Sequence, residues 1–168
     1  MVAEVMKIRR IHADEVEAFR QVRLEALQAE PAFYASSYED WVDLSLEEWQ
    51  HRLKDPVFVA FQNGEPVGIT GLRQQPASKM AHRATLVMVY VRKTLRGSGL
   101  ARNLLEVAAD CARDLGILQL ELAVSAENPA AIRFYKRQGF SEVGRIPGGF
   151  RHEGREIDDV VMVHRLAT

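Results

Sequence analysis

The four residues Arg96-Gly97-Ser98-Gly99 stand where a β-branched and aromatic run, ending VMVYV, gives way to a helix-period pattern opening LARNLLEVAAD. Helices usually open on Ser, Thr, Asp or Asn; this one opens on an arginine and two glycines. A helix N-terminus presents unpaired N–H groups and about half a positive charge, so it favours an anion. Glycine lets an anion approach the backbone, and arginine adds forked donors matched to phosphate oxygens. The stretch reads either as a phosphate cradle or as a loop whose glycines simply permit a tight turn.

Known phosphate loops narrow the choice. The run G-x-x-x-x-G-K-[ST] does not occur. The dinucleotide fingerprint fails because Arg102 stands at its third position after Gly97 and Gly99, and no acidic strand end follows at the required spacing. Protein-kinase signatures are missing as well. Among other reactive side chains, His12, His51, His82, His152 and His164 show no ligand spacing, and HEGRE is not H-E-x-x-H, so no metal is expected. The single cysteine, Cys111, falls on an apolar helix stripe where thiols are inert, which argues against a cysteine acyl-enzyme.

The elements that must position these residues follow from periodicity. Val5 to Ile11 alternates as a first strand, followed by a helix that Asp14 is expected to cap and whose face carries Val16, Phe19, Val22 and Leu27. Ser45 and Glu48 predict a short helix to about Lys54, with FYASSYEDWVD as an unusual connector before it. Runs at 57–61 and 66–72 flank Asn63-Gly64, a strong hairpin signal. Ala84 to Val91 and Leu118 to Val124 read as strands around a long helix with Leu100, Leu104, Ala108, Cys111 and Leu115 on one stripe, ended by Gly116. Asn128-Pro129 opens a last helix that stops at Gly139. Strands at 140–146 and 157–165 close the chain, joined by PGGFRHEGR as a loop.

At 168 residues this is one domain, 1–168, with 47% apolar and 27% charged residues, a globular balance. A net charge of −1 gives no basic footprint for nucleic acid. No run is long and apolar enough to suggest a membrane span, and MVAEVMKIRR has no signal-peptide h-region. With one cysteine, a cytoplasmic location is expected.

The stretch from Arg96 resembles the signature of the GNAT superfamily of N-acetyltransferases: Arg or Gln, two residues, Gly, one residue, then Gly or Ala, met by Arg96, Gly99 and Ala101. LAVSAENPAAIRFYKRQGF resembles the family's fifth strand, splayed loop and following helix, with Asn128, Ala131, Tyr135, Gly139 and Phe140 on its usual positions. IDDVVMVHRL resembles its last strand. The resemblance implies an α/β (α+β mixed-sheet) fold of the GNAT-like acyl-CoA N-acyltransferase type, with about seven strands and about four helices. It implies acetyl-CoA as cosubstrate and no metal. The pyrophosphate would rest on the backbone N–H groups of Gly97, Ser98, Gly99, Leu100 and Ala101, with Arg96 shaping the loop. The pantetheine arm would pair with the backbone of Val89, Tyr90 and Val91. Asn128 and Ala131 would contact the cofactor from the end of the fifth strand and the helix after it. Tyr135 would point at the sulfur and protonate the departing thiolate.

The expected reaction is direct attack of a primary amine in a ternary complex; the alternative is a non-catalytic CoA-binding sensor. No base is assigned: the strand at 84–91 carries no carboxylate, which leaves Glu39, Asp40, His82 and Glu121 as candidates. The family's acceptor groove corresponds to YASSYEDWVD, with Tyr38, Glu39, Asp40 and Asp43 suited to a cationic amine. Its other wall is PGGFRHEGR, where Arg145 just before it and Arg151, His152 and Arg155 within it are suited to a carboxylate. A homodimer through the C-terminal edge is left open.

Overall fold

The computed structural model describes residues 6 to 167. Its strands are β1 (Met6–Arg10), β2 (Val57–Gln62), β3 (Glu65–Gln74), β4 (Arg83–Val91), β5 (Gln119–Ser125), β6 (Ser141–His152) and β7 (Arg155–Arg165). Its α-helices are α1 (Val16–Ala29), α2 (Tyr38–Val42), α3 (Leu46–Arg52), α4 (Leu100–Asp114) and α5 (Pro129–Arg137). The strands form one mixed sheet in the order β1-β2-β3-β4-β5-β7-β6. This is the expected α/β mixed sheet of seven strands, with the five-residue α2 added to the four expected helices.

The inner strands β2 and β3 bury both faces, as the near-continuous apolar run of β2 requires, whereas the edge strands β1 and β6 stay largely exposed. Phe58 and Ala60 join the core shared with α4 and α5, whereas Val57, Val59 and Phe61 join the core shared with α1, α2 and α3. That second core is aromatic, with ring centroids of Phe19 and Trp49 5.1 Å apart and those of Trp41 and Trp49 5.2 Å apart. Asn63 (φ 50°) and Gly64 (φ 84°) both adopt the left-handed conformation that a two-residue hairpin needs.

Five sequence expectations need correction or trimming. Val5 lies outside the described residues, so β1 is seen from Met6. Asp14 does not cap α1: Ala13–Glu15 form a 3-10 turn and no side chain caps either start. The buried stripe of α4 runs Leu100, Leu104, Ala108, Ala112, leaving Cys111 half-buried and Leu115 exposed, because a four-residue step stays closer to the core. The connector FYASSYEDWVD contains α2, opened by a reciprocal capping box. Ser37 Oγ accepts from Asp40 N at 3.3 Å, and Asp40 Oδ2 accepts from Ser37 N at 2.8 Å. PGGFRHEGR is largely strand. Residues 147–149 are absorbed as an irregularity between Ile146 and Phe150, and Glu153 (φ 50°) with Gly154 (φ 75°) makes the tight turn.

Two departures from regularity open the sheet. β5 pairs in parallel with β4 only from Arg83–Gln119 to Thr85–Glu121, and then stays with β7 as far as Ser125–Asp159. β4 stays with β3 as far as Val91–Gly68. The two parallel strands therefore part, leaving the β5-facing edge of β4 without a strand partner beyond Thr85. Within β4 a bulge places Met88 (φ 58°) and Val89 opposite Thr70. Gly71 makes room for it: a Cβ there would lie 2.7 Å from Met88 Cε and 2.8 Å from Val87 Cγ2. The extra residue reverses the strand's alternation. Ala84 and Leu86 face the α4 side before the bulge, Val89 and Val91 after it.

Candidate active site

The splay opens into a cavity of about 1080 Å³ that runs from the glycine turn before α4 to the α1–α2 connector. Val89, Tyr90, Val91, Arg96, Gly97, Gly99, Ala101, Asn128, Ala131 and Tyr135 line it together. Ser98 and Leu100 do not. Ser98 turns its hydroxyl back to donate to the Leu95 carbonyl, and the Leu100 side chain is in the core, so only their backbones face the turn.

At the turn, Gly97 (φ 80°) and Gly99 (φ 90°) are left-handed, with nothing within 4 Å of where a Cβ would stand. Backbone conformation, rather than crowding, demands glycine here. Gly99 is the N-cap of α4 and no side chain caps it. The N–H groups of Gly97, Gly99, Ala101 and Arg102 make no hydrogen bond among the described residues, and Leu100 N reaches Ser98 Oγ only at 3.4 Å. This is an open ring of donors at a helix start, the form that holds a phosphate. Arg96 pairs with Glu30, which follows α1. It ties the turn to that helix instead of standing free as a phosphate ligand.

Along β4, Arg92 N donates to Val67 O at 3.0 Å. By alternation Tyr90 also faces β3, while Val89 and Val91 turn their N–H and C=O groups into the splay. The Tyr90 hydroxyl points elsewhere, donating to Glu25 at 2.8 Å beside the Arg92–Glu25 ion pair. Tyr34 is a residue the sequence reading missed: its hydroxyl donates to Val89 O at 2.8 Å, at the bulge. Burial raises the Tyr34 phenol above its ordinary range.

Tyr135 is buried on α5, edge-on to Phe140 at 5.6 Å and to Phe134 at 5.3 Å. Burial raises its phenol too. Its hydroxyl has no hydrogen-bond partner among the described residues, in contrast to Tyr34. Asn128 Oδ1 caps α5 by accepting from Ala131 N at 3.2 Å, so its amide group is what remains for a ligand.

None of the four candidate bases lines the cavity. Glu121 is held by Arg83 and by Gln119, Asp40 caps α2, and Glu39 and His82 are exposed. Of the carboxylates that do line it, Glu30 is paired with Arg96 and Asp55 is exposed. Asp159 of β7 is half-buried, has no ion pair or hydrogen bond among the described residues, and is raised above its ordinary range by burial. Three arginines of β6 and β7 are also committed: Arg145 to Glu142, Arg151 to Glu156, and Arg155 to Glu127. His152 lies beside Glu153. Tyr38, Glu39, Asp40 and Asp43 do not reach the cavity either.

Cys111 is outside the cavity, and burial raises its thiol, both unfavourable for a nucleophile. Among the described residues no group of His, Cys, Asp or Glu is arranged to hold a metal ion, and no helix is long and apolar enough to cross a membrane.

Over residues 18–140 the sequence matches the profile of the acetyltransferase (GNAT) family. The chain belongs to that family. An uncharacterised N-acetyltransferase of Methanocaldococcus jannaschii is 30% identical over 146 residues, a match covering 86% of this chain and 64% of that protein. The chain thus spans slightly less than two thirds of that relative. The GNAT fold is shared with ribosomal-protein-alanine N-acetyltransferase of Brucella melitensis at a TM-score of 0.76 and 27% identity, over 95% of this chain and 99% of that one. It is shared also with yncA of Salmonella typhimurium, solved with its cofactor acetyl-CoA, at a TM-score of 0.79 and 23% identity, over 98% and 95%.

Proposed function

We propose that this GNAT protein is an acetyl-CoA-dependent N-acetyltransferase that passes the acetyl group to a primary amine by direct attack in a ternary complex. The observation that carries the reading is the continuity of one cavity from unpaired N–H groups at Gly97, Gly99, Ala101 and Arg102 to the uncommitted phenol of Tyr135. Its volume, about 1080 Å³, lies just above the usual range for small-molecule sites and suits two substrates side by side. The donors fit a pyrophosphate, and the free edge of β4 at Val89 and Val91 fits an extended amide-bearing arm laid along it. The cosubstrate supplies an activated thioester.

Transfer forms an N–C bond and breaks the C–S bond, so one proton leaves the amine and one must reach sulfur. Tyr135 is the candidate for giving that proton, because burial keeps it protonated and no described residue engages its hydroxyl. A free thiol titrates near 8.5 and a phenol near 10, so transfer to sulfur needs a desolvated thiolate. The apolar wall around Tyr135 raises thiolate basicity by the same burial that raises the phenol. Asp159 is the carboxylate best suited to take the amine's proton, since a raised carboxyl is a stronger base. Exposed Val143 and Ile146 on the edge strand β6 support a homodimer through that edge.

Release of CoA thiol from acetyl-CoA, measured with and without added primary amines, tests the reading. Amine-dependent release is the expected result. Tight binding of acetyl-CoA with no release for any amine would leave a CoA-binding sensor instead.

A further inference from the structure

Arg23 lies on the inner face of α1, between Phe19, Val22 and Ala26 along the helix, and is only 4% exposed. Its Nε and Nη1 are buried without a hydrogen-bond partner. The guanidinium stacks 4.5 Å from the ring centre of Trp41 and 5.3 Å from that of Tyr34. Arg52 stacks on the same Trp41 at 4.4 Å. Two cations thus share one indole, and no carboxylate pairs with either among the described residues. Burial, opposed by Tyr34 and reinforced by the charge of Arg52, holds the Arg23 guanidinium down at about 10. A buried cation without a counter-ion is costly, and proteins resolve it by pairing.

The pairing partner has a place to sit. Arg23, Arg52, Trp41 and Tyr34 all line the cavity described above. Arg23 precedes Glu30, the partner of Arg96 at the glycine turn, by seven residues of α1, or about 10 Å of helix rise. The guanidinium is therefore remote from the phosphate end. It lies across Tyr34 from the β4 bulge, where that phenol holds Val89 O. The arginines expected to meet a carboxylate, Arg145, Arg151 and Arg155, already have glutamates.

We infer that Arg23, with Arg52 beside it, binds the carboxylate of the acceptor, so that the substrate class is an amino acid or a close derivative carrying amine and carboxylate on one small molecule. This rests on the acetyl-CoA reading and deepens it. A forked guanidinium buried over two aromatic rings fits a planar carboxylate and disfavours a neutral amide, whose carbonyl pairs one arm of the fork while its NH2 group leaves the other without an acceptor. A polyamine, bearing cations alone, is repelled.

The test uses the twenty standard amino acids, each against its carboxamide, with the protein and its Arg23→Gln and Arg23→Met variants. CoA release and the melting temperature of the CoA-saturated protein are both read. The expected result is that at least one amino acid is acetylated or stabilises the protein, about tenfold or more better than its carboxamide. That preference should vanish in Arg23→Gln. Arg23→Met, free of ligand, should melt no lower than the wild type, since an apolar side chain replaces an unpaired buried charge. Equal use of acid and amide, a preference that survives in Arg23→Gln, or no response to any amino acid in a protein that acetyl-CoA stabilises would overturn the assignment. A clear fall in the melting temperature of Arg23→Met would mean that the arginine is structural, and would overturn it too. A protein that acetyl-CoA fails to stabilise removes the donor reading itself, a separate and recognisable failure that takes this proposal with it.

Discussion

The Tyr34 hydroxyl donates to the Val89 carbonyl across 2.8 Å, joining the segment after α1 to the bulge of β4. The bond ties Tyr34 to β4 within the stretch whose β5-facing edge has no strand partner. Removing it in Tyr34→Phe should cost about 1 kcal/mol of stability. It should also lower kcat/KM for acetyl-CoA, because the Val89 carbonyl is no longer held. Thermal melts and initial rates check both. A variant with full stability and unchanged kinetics would show that the bond positions nothing.

Of the three phenols that line the cavity, Tyr34 donates to Val89 and Tyr90 to Glu25, whereas Tyr135 has no hydrogen-bond partner among the described residues. Tyr135→Phe should therefore reduce kcat by roughly a hundredfold or more while leaving the dissociation constant of acetyl-CoA within a few-fold. A larger kcat loss in Tyr34→Phe than in Tyr135→Phe would transfer the acid role to Tyr34.

Gly99 and Gly116 have similar backbones, φ 90° and φ 78°, and open space where a Cβ would stand. Alanine at either should cost about 1 kcal/mol through its left-handed conformation. Only Gly99→Ala should also weaken acetyl-CoA, since only Gly99 belongs to the donor ring, and Gly99→Glu should abolish binding by adding negative charge. Equal acetyl-CoA affinity in Gly99→Ala, Gly99→Glu and Gly116→Ala would remove the ring from phosphate binding.

Asp159 is raised by burial above its ordinary 3.8. Its basic form exists above that raised value, so kcat/KM should climb with pH through it on the acid side of the profile. Asp159→Asn should erase that limb and slow turnover by roughly a hundredfold. An unchanged profile would assign proton removal to water.

Much of this was legible in the sequence wherever one local conformation is obligatory. Asn63-Gly64 serves a left-handed hairpin turn, and Asn128-Pro129 combines a cap with a first-turn proline. Paired with the pattern at Arg96, Gly99 and Ala101, the second of these marks residues that the structure brings to one cavity. What was missed falls in two kinds. Some signals were present but ambiguous: Ser37 and Asp40 have capping-box spacing around a helix too short to show periodicity, and Gly71 within β3 marks the bulge opposite. Gly148 and Gly149 read as a loop, though they accommodate an irregular strand. Other features depend on distant pairing and have no local trace. Tyr34 and Val89 are 55 residues apart, and the Glu30 that claims Arg96 lies at the end of α1. Arg23 sits among apolar residues on a buried helix face, where periodicity predicts a core position.

The most direct test of the account is the melting temperature of the protein, shown by mass spectrometry to carry no co-purified CoA, against increasing acetyl-CoA, with NAD and ATP in parallel. At about a hundred times its dissociation constant, acetyl-CoA should add roughly 2.7 kcal/mol of stability, and neither nucleotide should match it. A folded protein that acetyl-CoA leaves unchanged, or that NAD or ATP stabilises equally, would contradict the reading of the glycine turn and the split sheet as an acetyl-CoA site.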